Sequence, residues 1–289
     1  MPSLLTTCED AFRAVTEARA AGKRVGLVPT MGALHDGHLS LVRAANDECD
    51  FTVATIFVNP AQFGPREDFQ KYPRPFDADL ALLAANDVDL VFAPTQDEMY
   101  PADFSTYVKP PRVALPLEGQ CRPGHFRGVA TVVLKLFQVI PADAAYFGQK
   151  DFQQALVIRR MAADLNLPTR IRVCPIVREP DGLAMSSRNR YLASSERQQA
   201  LALSRALKSA AKLVADGECG AAVIKENMRK LLVDGGIERI DYVALADPET
   251  LVEVSEIKSR TVALIAAYVG STRLIDNQIL FDGHSKTTE

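Results

Sequence analysis

Tryptophan is absent from the sequence, histidine occurs four times and cysteine five times. No apolar run reaches the ~18 residues that a helical membrane span requires, so no such span is expected. Nor is there an excess of positive charge: 33 Lys and Arg stand against 36 Asp and Glu, a formal net charge of −3. That balance gives no basic field for nonspecific nucleic-acid binding, and no nucleic-acid partner is expected. The cysteines, Cys8, Cys49, Cys121, Cys174 and Cys219, are odd in number, scattered, and never form C-x-x-C. This argues against a disulfide framework or a thiolate zinc site and for reduced, structural thiols. The opening MPSLLTTCEDAFRAV has no basic n-region and two acids by residue 10, unlike a signal peptide. A cytoplasmic chain is the expectation. G-x-x-x-x-G-K-[ST], G-x-G-x-x-G and H-E-x-x-H are all missing, which removes the P-loop, the dinucleotide fingerprint and the zincin helix.

What is present is ordinary globular material. Hydrophobic residues make up 47% and charged residues 24% of 289 residues, enough for one large domain or two smaller ones. Apolar runs alternate with helical patterns through the first half. Strands are expected at Arg24–Thr30, Phe51–Val58, Val88–Ala93, Ala144–Gly148 and Arg170–Val177. Helices are expected from Leu39–Asn46, 77–86, Val129–Ile140 and Phe152–Asn166. This rhythm predicts an α/β fold, a Rossmann-like parallel sheet with helices on both faces, whose buried strands read as continuous apolar runs. After Val177 the polar joint EPDGLAMSSRNR leads into a long helix, Ser194–Asp216, with capping chemistry at Ser194-Ser195-Glu196. A helix over 221–233 and strands near 239–246 and 261–269 complete a smaller α+β C-terminal domain. The expected division is 1–178, a Rossmann-like nucleotide- and substrate-binding domain, and 179–289, a C-terminal lid. No repeat or low-complexity segment interrupts it.

Four stretches carry chemistry-bearing residues. PTMGALHDGHLS (29–40) falls between the first strand and its helix, at the carboxyl end of a strand where open α/β sheets bind ligands. A helix N-terminus offers N–H groups to an anion, glycines admit close approach, and His35 and His38, three apart, can project to one side. Two surface histidines near a turn are the plainer reading. FVNPAQF (57–63) puts the amides of Asn59 and Gln62 at another strand end, as turn caps or as ligand contacts. YFGQKDFQQ (146–154) adds Gly148, Lys150, Asp151 and Gln154, either a ligand turn or a solvated helix start. VREPDGLAMSSRNRYL (177–192) carries Met185-Ser186-Ser187-Arg188, whose hydroxyls and guanidinium suit a triphosphate. An ordinary interdomain loop would also read this way.

The H-x-G-H of His35–His38 resembles the HIGH signature of the nucleotidylyltransferase and class I aminoacyl-tRNA synthetase superfamily. Taken with FVNPAQF, GHFRGVATVV (124–133), YFGQKDFQQ, VREPDGLAMSSRNRYL and TRLIDN (272–277), the sequence resembles the pantothenate synthetase family from about residue 25 to 277. The resemblance implies joining of pantoate to β-alanine with ATP and Mg2+, through a pantoyl-adenylate, to give pantothenate, AMP and pyrophosphate. It implies that Met31, Gly32, Ala33, Leu34, His35, Asp36, Gly37 and His38 contact ATP, with His38 catalytic and His35, Lys150 and Arg188 assisting. Gly148, Gln149, Lys150, Asp151, Val177, Met185, Ser186, Ser187 and Arg188 are implied in ATP binding. Gln62 would hold pantoate beside β-alanine, Gln154 would hold pantoate, and Asn59 joins them as a substrate-binding candidate. A homodimer is typical of the family. Where the superfamily's second signature begins with lysine this sequence has Ala184, which shifts phosphate charge toward Lys150, Arg188 and the histidines. The magnesium ligands stay open among Asp77, Asp79, Asp151 and the phosphates themselves.

Two rival readings remain. A nucleotidylyltransferase acting on a phosphorylated small molecule would share the fold and H-x-G-H, but would favour extra Arg or Lys where this sequence places neutral amides. A noncatalytic nucleotide-binding protein would keep the glycines without needing both histidines, Lys150 and Arg188.

Overall fold

The computed structural model describes residues 1–65 and 67–281. The chain divides into two compact units, Met1–Ile176 and the portion from Val177 onward.

The first unit is built on a parallel sheet of six strands: β1 (Ser3–Leu5), β2 (Val25–Thr30), β3 (Phe51–Ile56), β4 (Leu90–Phe92), β5 (Ala144–Gly148) and β6 (Arg170–Cys174). Their order is β1-β4-β3-β2-β5-β6, every pair parallel. Alternation along β2 explains the two layers of core. Val25 and Leu27 face one cluster with Ala11 and Val15 of α1 (Cys8–Ala20), Val129 and Val133 of α6 (His125–Val139), and Val157 and Ile158 of α7 (Phe152–Asp164). Val28 faces the other, with Leu41, Val42 and Ala45 of α2 (Asp36–Glu48) and Leu83 of α3 (Phe76–Ala84). Gly26 lets α2 lie close: a Cβ there would stand 3.1 Å from Cys49 Sγ and 3.2 Å from Ala45 Cβ. The chain runs outward from β2 through β3 and β4 on one side and resumes at β5 on the other. Strand order therefore reverses between β2 and β5, which puts the ligand crevice of such a sheet at their carboxyl ends.

The sequence reading missed β1 and α1, whose short strand and mixed helix lack a long apolar run. The strand expected over Arg170–Val177 ends at Cys174. It is an edge, with Arg170 and Arg172 exposed, so the rule of continuous apolar runs fails there. Two further short helices, α4 (Gln96–Met99) and α5 (Glu118–Cys121), lie in the connections.

In the second unit, α8 (Ser194–Ala215) and α9 (Ala221–Asp234) pack on an antiparallel sheet of β7 (Ile240–Ala246), β8 (Thr261–Val269) and β9 (Thr272–Phe281), ordered β7-β8-β9. Leu203, Leu207, Ile224, Met228, Leu232 and Ile265 form its core. The cap of α8 is Ala193, one residue before the expected serines, and its N–H is accepted by Glu196 at 2.9 Å. β9 escaped the sequence reading because Arg273, Asp276, Asn277 and Gln278 break its apolar pattern. Among the described residues, no helix is long and apolar enough to cross a membrane.

Candidate active site

At the end of β2, Thr30 locks the strand to its neighbour. Its N–H donates to Thr55 Oγ1 (3.2 Å), its hydroxyl donates to Thr55 O (2.5 Å), and the same Oγ1 accepts from Gly32 N (3.1 Å). The chain then turns through two left-handed residues, Gly32 (φ 78°) and Ala33 (φ 51°). Glycine takes that conformation without cost, whereas an alanine pays about 1 kcal/mol, so something must hold the turn. Asp79 of α3, 1% exposed, accepts from Ala33 N through Oδ2 (2.7 Å) and from Leu34 N through Oδ1 (2.8 Å).

His35 follows as the cap of α2. Its Nδ1 accepts from Gly37 N (3.2 Å), and its carbonyl accepts from His38 N (2.8 Å) and Leu39 N (3.1 Å). An accepting Nδ1 leaves the proton of a neutral His35 on Nε2. The His38 ring lies against it, centroids 4.1 Å apart and planes tilted by 37°. The two histidines of H-x-G-H thus stand together at the positive end of α2. Most backbone amides of this turn are engaged within the fold. The N–H groups of Gly32, Ala33, Leu34, Gly37 and His38 all point to acceptors within the protein.

After β3 the chain makes a 3-10 turn, Pro60–Gln62, capped by Asn59. Asn59 is buried at 1% exposure, and both ends of its amide are engaged. Oδ1 accepts from Ala61 N (3.3 Å) and the Tyr100 hydroxyl (2.8 Å), while Nδ2 donates to Gly128 O (3.3 Å) and Gln62 Oε1 (2.9 Å). Of the two readings left open, Asn59 is the turn cap. With Oε1 so occupied, the Gln62 amide turns its Nε2 toward Met31 Sδ (3.1 Å). Gly128 makes this possible, since a Cβ there would stand 2.1 Å from Ala61 O.

Behind the turn lie residues that the sequence reading passed over. His125, 8% exposed, donates from Nδ1 to the Gln62 carbonyl (2.9 Å), a group that only accepts. Its Nε2 is then the acceptor for Arg122 Nη1 (3.2 Å). Burial, reinforced by the Arg122 guanidinium, pushes the His125 pKa down to about 4, so the ring is neutral. Arg122 grips Glu67 with Nε (2.8 Å) and Nη2 (2.6 Å) and lies 3.8 Å from Glu118. Burial raises the Glu67 pKa, but Arg122's hydrogen bonds and charge pull it below the ordinary value. The stretch RPGHFRG at 122–128 was the available signal, with Gly124 left-handed at φ 86°.

After β5, Gly148 leads into a 3-10 turn, Gln149–Asp151, and then α7. Lys150 Nζ lies 3.8 Å from Asp151 Oδ1. The two glutamines that follow differ: Gln153 is buried and bonds Glu118 N, Val113 O and Pro116 O, while Gln154 is half-buried. The first unit therefore brings the ends of β2 and β3 into direct contact through Met31 and Gln62, with the β5 turn on the neighbouring strand.

The second unit places Val177 and Met185–Arg188 on its own hairpin. Val177 O accepts from Met185 N (3.0 Å), and Glu179 N donates to Leu183 O (2.8 Å). Arg178 binds Asp276 of β9 through Nη1 (2.7 Å) and Nη2 (2.9 Å). Ser186 caps a 3-10 turn, Ser187–Tyr191, by accepting from Arg188 N (3.2 Å). Ala184 is 4% exposed and its carbonyl accepts from Asn189 Nδ2 (3.1 Å), so this position is enclosed.

The acids considered for magnesium are not gathered. Asp77 is exposed, Asp79 serves two amides, and Asp151 neighbours Lys150. Among the described residues, no group of three or more His, Cys, Asp or Glu is arranged to hold a metal ion. No disulfide joins the described cysteines, and burial beside Glu98 pushes the Cys8 pKa up to about 11, away from nucleophilic use.

A family profile described as Pantoate-beta-alanine ligase matches residues 3–279. The chain is 54% identical over 278 residues to pantothenate synthetase 1 of Bradyrhizobium diazoefficiens, covering 96% of this chain and 98% of that one. It is 53% identical over 277 residues to the pantothenate synthetase of Thermotoga petrophila, covering 96% and 99%. Among solved structures, pantothenate synthetase from Thermus thermophilus matches with a TM-score of 0.92 at 43% identity, over 96% of this chain and 99% of that one. The pantoate-beta-alanine ligase of Francisella tularensis, complexed with beta-gamma ATP and beta-alanine, matches with a TM-score of 0.79 at 32% identity, over 97% and 98%.

Proposed function

From the premise that the chain belongs to the pantoate-beta-alanine ligase family, we propose how its residues divide the work of the reaction. The activity is that of a ligase: pantoate and β-alanine are condensed at the expense of ATP to give pantothenate. A free carboxylate is a poor acyl donor toward an amine and must first be activated. In the proposed course the pantoate carboxylate attacks the α-phosphate of ATP, the bond to the β-phosphate breaks, and pyrophosphate leaves. The amine of β-alanine then attacks the acyl carbon of the adenylate, AMP departs with the acyl C–O electron pair, and the amine loses a proton. No step needs a nucleophile from the protein.

The carrying observation is the pair of rings at the end of β2. His35 and His38, 4.1 Å apart, offer imidazole donors where the turn's own amides are engaged elsewhere. Their part is to meet charge developing on the phosphates, by positioning and electrostatics. Lys150 adds a cation from the β5 turn. Gln62, its amide oriented by Asn59, presents N–H donors, which suits the oxygen acceptors of pantoate; Gln154 is assigned to the same substrate. Gly148, Gln149 and Asp151 are assigned to ATP, as are Val177, Met185, Ser186, Ser187 and Arg188 of the second unit, the latter on sequence resemblance.

Magnesium enters as the companion of the ATP phosphates, since the described acids do not form a site of their own for it. A homodimer in the cytoplasm is the proposed working state. Family habit supports the dimer, and the free, scattered cysteines suit a reducing compartment. The neutral amides of Gln62 and Gln154 speak against the rival acting on a phosphorylated acceptor, which would favour Arg or Lys at those positions. Labelled pyrophosphate should exchange into ATP with pantoate present and β-alanine absent. Exchange that demands β-alanine would replace the adenylate with a concerted route.

A further inference from the structure

The turn that carries the histidines contains no element able to hold its own shape. Residues 31–35 make no helix or strand, and Gly32 and Ala33 both sit in left-handed backbone. Two acceptors close it from outside. Thr30 Oγ1 takes Gly32 N, and the carboxylate of Asp79, from 46 residues downstream of Ala33, takes Ala33 N and Leu34 N, one oxygen each. Asp79 is almost wholly buried and lies in the first turn of α3, where the helix dipole favours a carboxylate. The fit leaves no slack: a Cβ on Gly32 would stand 2.9 Å from Asp79 Oδ2 and 3.1 Å from Ile56 Cγ2.

We propose that Asp79 is a positioning residue for the reaction, its carboxylate clamping the Ala33 and Leu34 amides so that His35 and His38 meet the phosphates in fixed register. This inference rests on the reading of the turn as the reacting centre. It gives Asp79 a task other than metal binding. It also explains why an acid rather than an amide stands there. Two adjacent N–H donors need two acceptors, and an asparagine offers one acceptor and one opposing donor. A mispositioned donor costs most where charge develops, so the loss belongs in kcat rather than in substrate binding.

The test compares Asp79→Asn with His38→Ala and with Leu83→Ala, a buried α3 residue that shares a core cluster with Leu34 and whose apolar side chain accepts none of the turn's amides. Asp79→Asn should fold, lower kcat and pantoate-dependent pyrophosphate exchange about 10- to 100-fold, and leave the KM for pantoate within about threefold. Exchange of the Ala33 and Leu34 amide hydrogens should quicken in Asp79→Asn and not in Leu83→Ala. Should Asp79→Asn fail to fold, Gly32→Ala probes the same clamp from the other side and should show the same loss in kcat. The proposal is overturned if a folded Asp79→Asn keeps kcat within twofold, or if Leu83→Ala loses as much kcat for the same drop in melting temperature. It is overturned equally if raised magnesium restores Asp79→Asn, which would make Asp79 a metal ligand. If His38→Ala leaves exchange intact, the reading of the turn itself fails. If His38→Ala abolishes exchange and Asp79→Asn does not touch it, only the clamp fails.

Discussion

The two segments assigned to the phosphates, the β2–α2 turn and the hairpin at 177–188, are held in different ways. In the first, short acceptors take backbone amides directly: Thr30 Oγ1, Asp79 and the His35 ring, at 2.7–3.2 Å. In the second, the hairpin pairs its own backbone, Met185 N to Val177 O and Glu179 N to Leu183 O, short acceptors take Leu183 N and Arg188 N, and long side chains add further ties. Arg178 reaches Asp276 on β9, and Arg197 reaches Glu179 and Asp181 at 2.6 Å each. A short side chain bonded to backbone loses little freedom and fixes the main chain itself. An arginine fixes its own head group first and the backbone only through a flexible stem. The β2–α2 turn, which makes no helix or strand of its own over residues 31–35, depends on those short acceptors for the fixed shape that suits transition-state contacts. The hairpin is tied to β9 as well, and the Asp276 carboxylate of its Arg178–Asp276 pair is buried enough to make that pair costly to break.

The largest expected effect tests that last clause. Asp276 has a side chain 2% exposed, and Arg178 one 25% exposed. Asp276→Ala should cost roughly 3 kcal/mol of unfolding free energy, toward the low end for a broken buried pair because Arg178 is partly hydrated. Chemical denaturation measures it. A loss below about 1 kcal/mol, the range of surface pairs, would erase the distinction. Gln62→Ala should weaken pantoate by about 1–3 kcal/mol, the usual cost of leaving a buried polar partner, here an oxygen of the bound acid, unpaired. Calorimetric titration should find ATP binding nearly unchanged, and Lys150→Ala should show the reverse pattern. Loss of ATP with pantoate retained in Gln62→Ala would invert the two subsites.

The third effect is pH-dependent. His125 is neutral in the fold with a pKa of about 4, below the unfolded value near 6.5. The unfolded state therefore binds more protons between these values, and stability falls as pH drops below about 6.5. At pH 5 the loss from this group is about 2 kcal/mol by linkage. His125→Gln, which keeps a donor for Gln62 O and an acceptor for Arg122, should flatten the melting temperature between pH 7 and 5. An unchanged slope would mean that His125 is not the group responsible. The smallest effect belongs to the half-buried ion pairs of Arg197: Arg197→Ala should cost about 1 kcal/mol, the upper end of the range for surface pairs, despite its two carboxylate partners. A larger loss would rank Arg197 with Arg178 as a tie of the hairpin.

Much of this was legible in the sequence where local chemistry decides. The strands Val25–Thr30 and Ala144–Gly148 announce themselves as apolar runs, and H-x-G-H places two histidines one helical turn apart at a strand end. What was not legible is long-range satisfaction of polar groups. Nothing near Asp79 in sequence says that its partners are Ala33 and Leu34, and its acidity suggested a metal instead. His125 reads as one more polar residue at a helix start until Gln62 O and Arg122 are found on either side of its ring. Asp276 breaks the apolar pattern of β9 because it is paired with a residue 98 positions away.

The central claim is that the β2–α2 turn exists to aim His38 at charge that develops only as the α-phosphate is attacked. Pantoate-dependent pyrophosphate exchange in His38→Ala, measured together with ATP affinity, tests it most directly. Exchange should fall by roughly 10²–10³ with the Kd for ATP within about threefold, the signature of a lost transition-state donor. Exchange at the parent rate, or a loss accounted for by weaker ATP binding, would contradict the account.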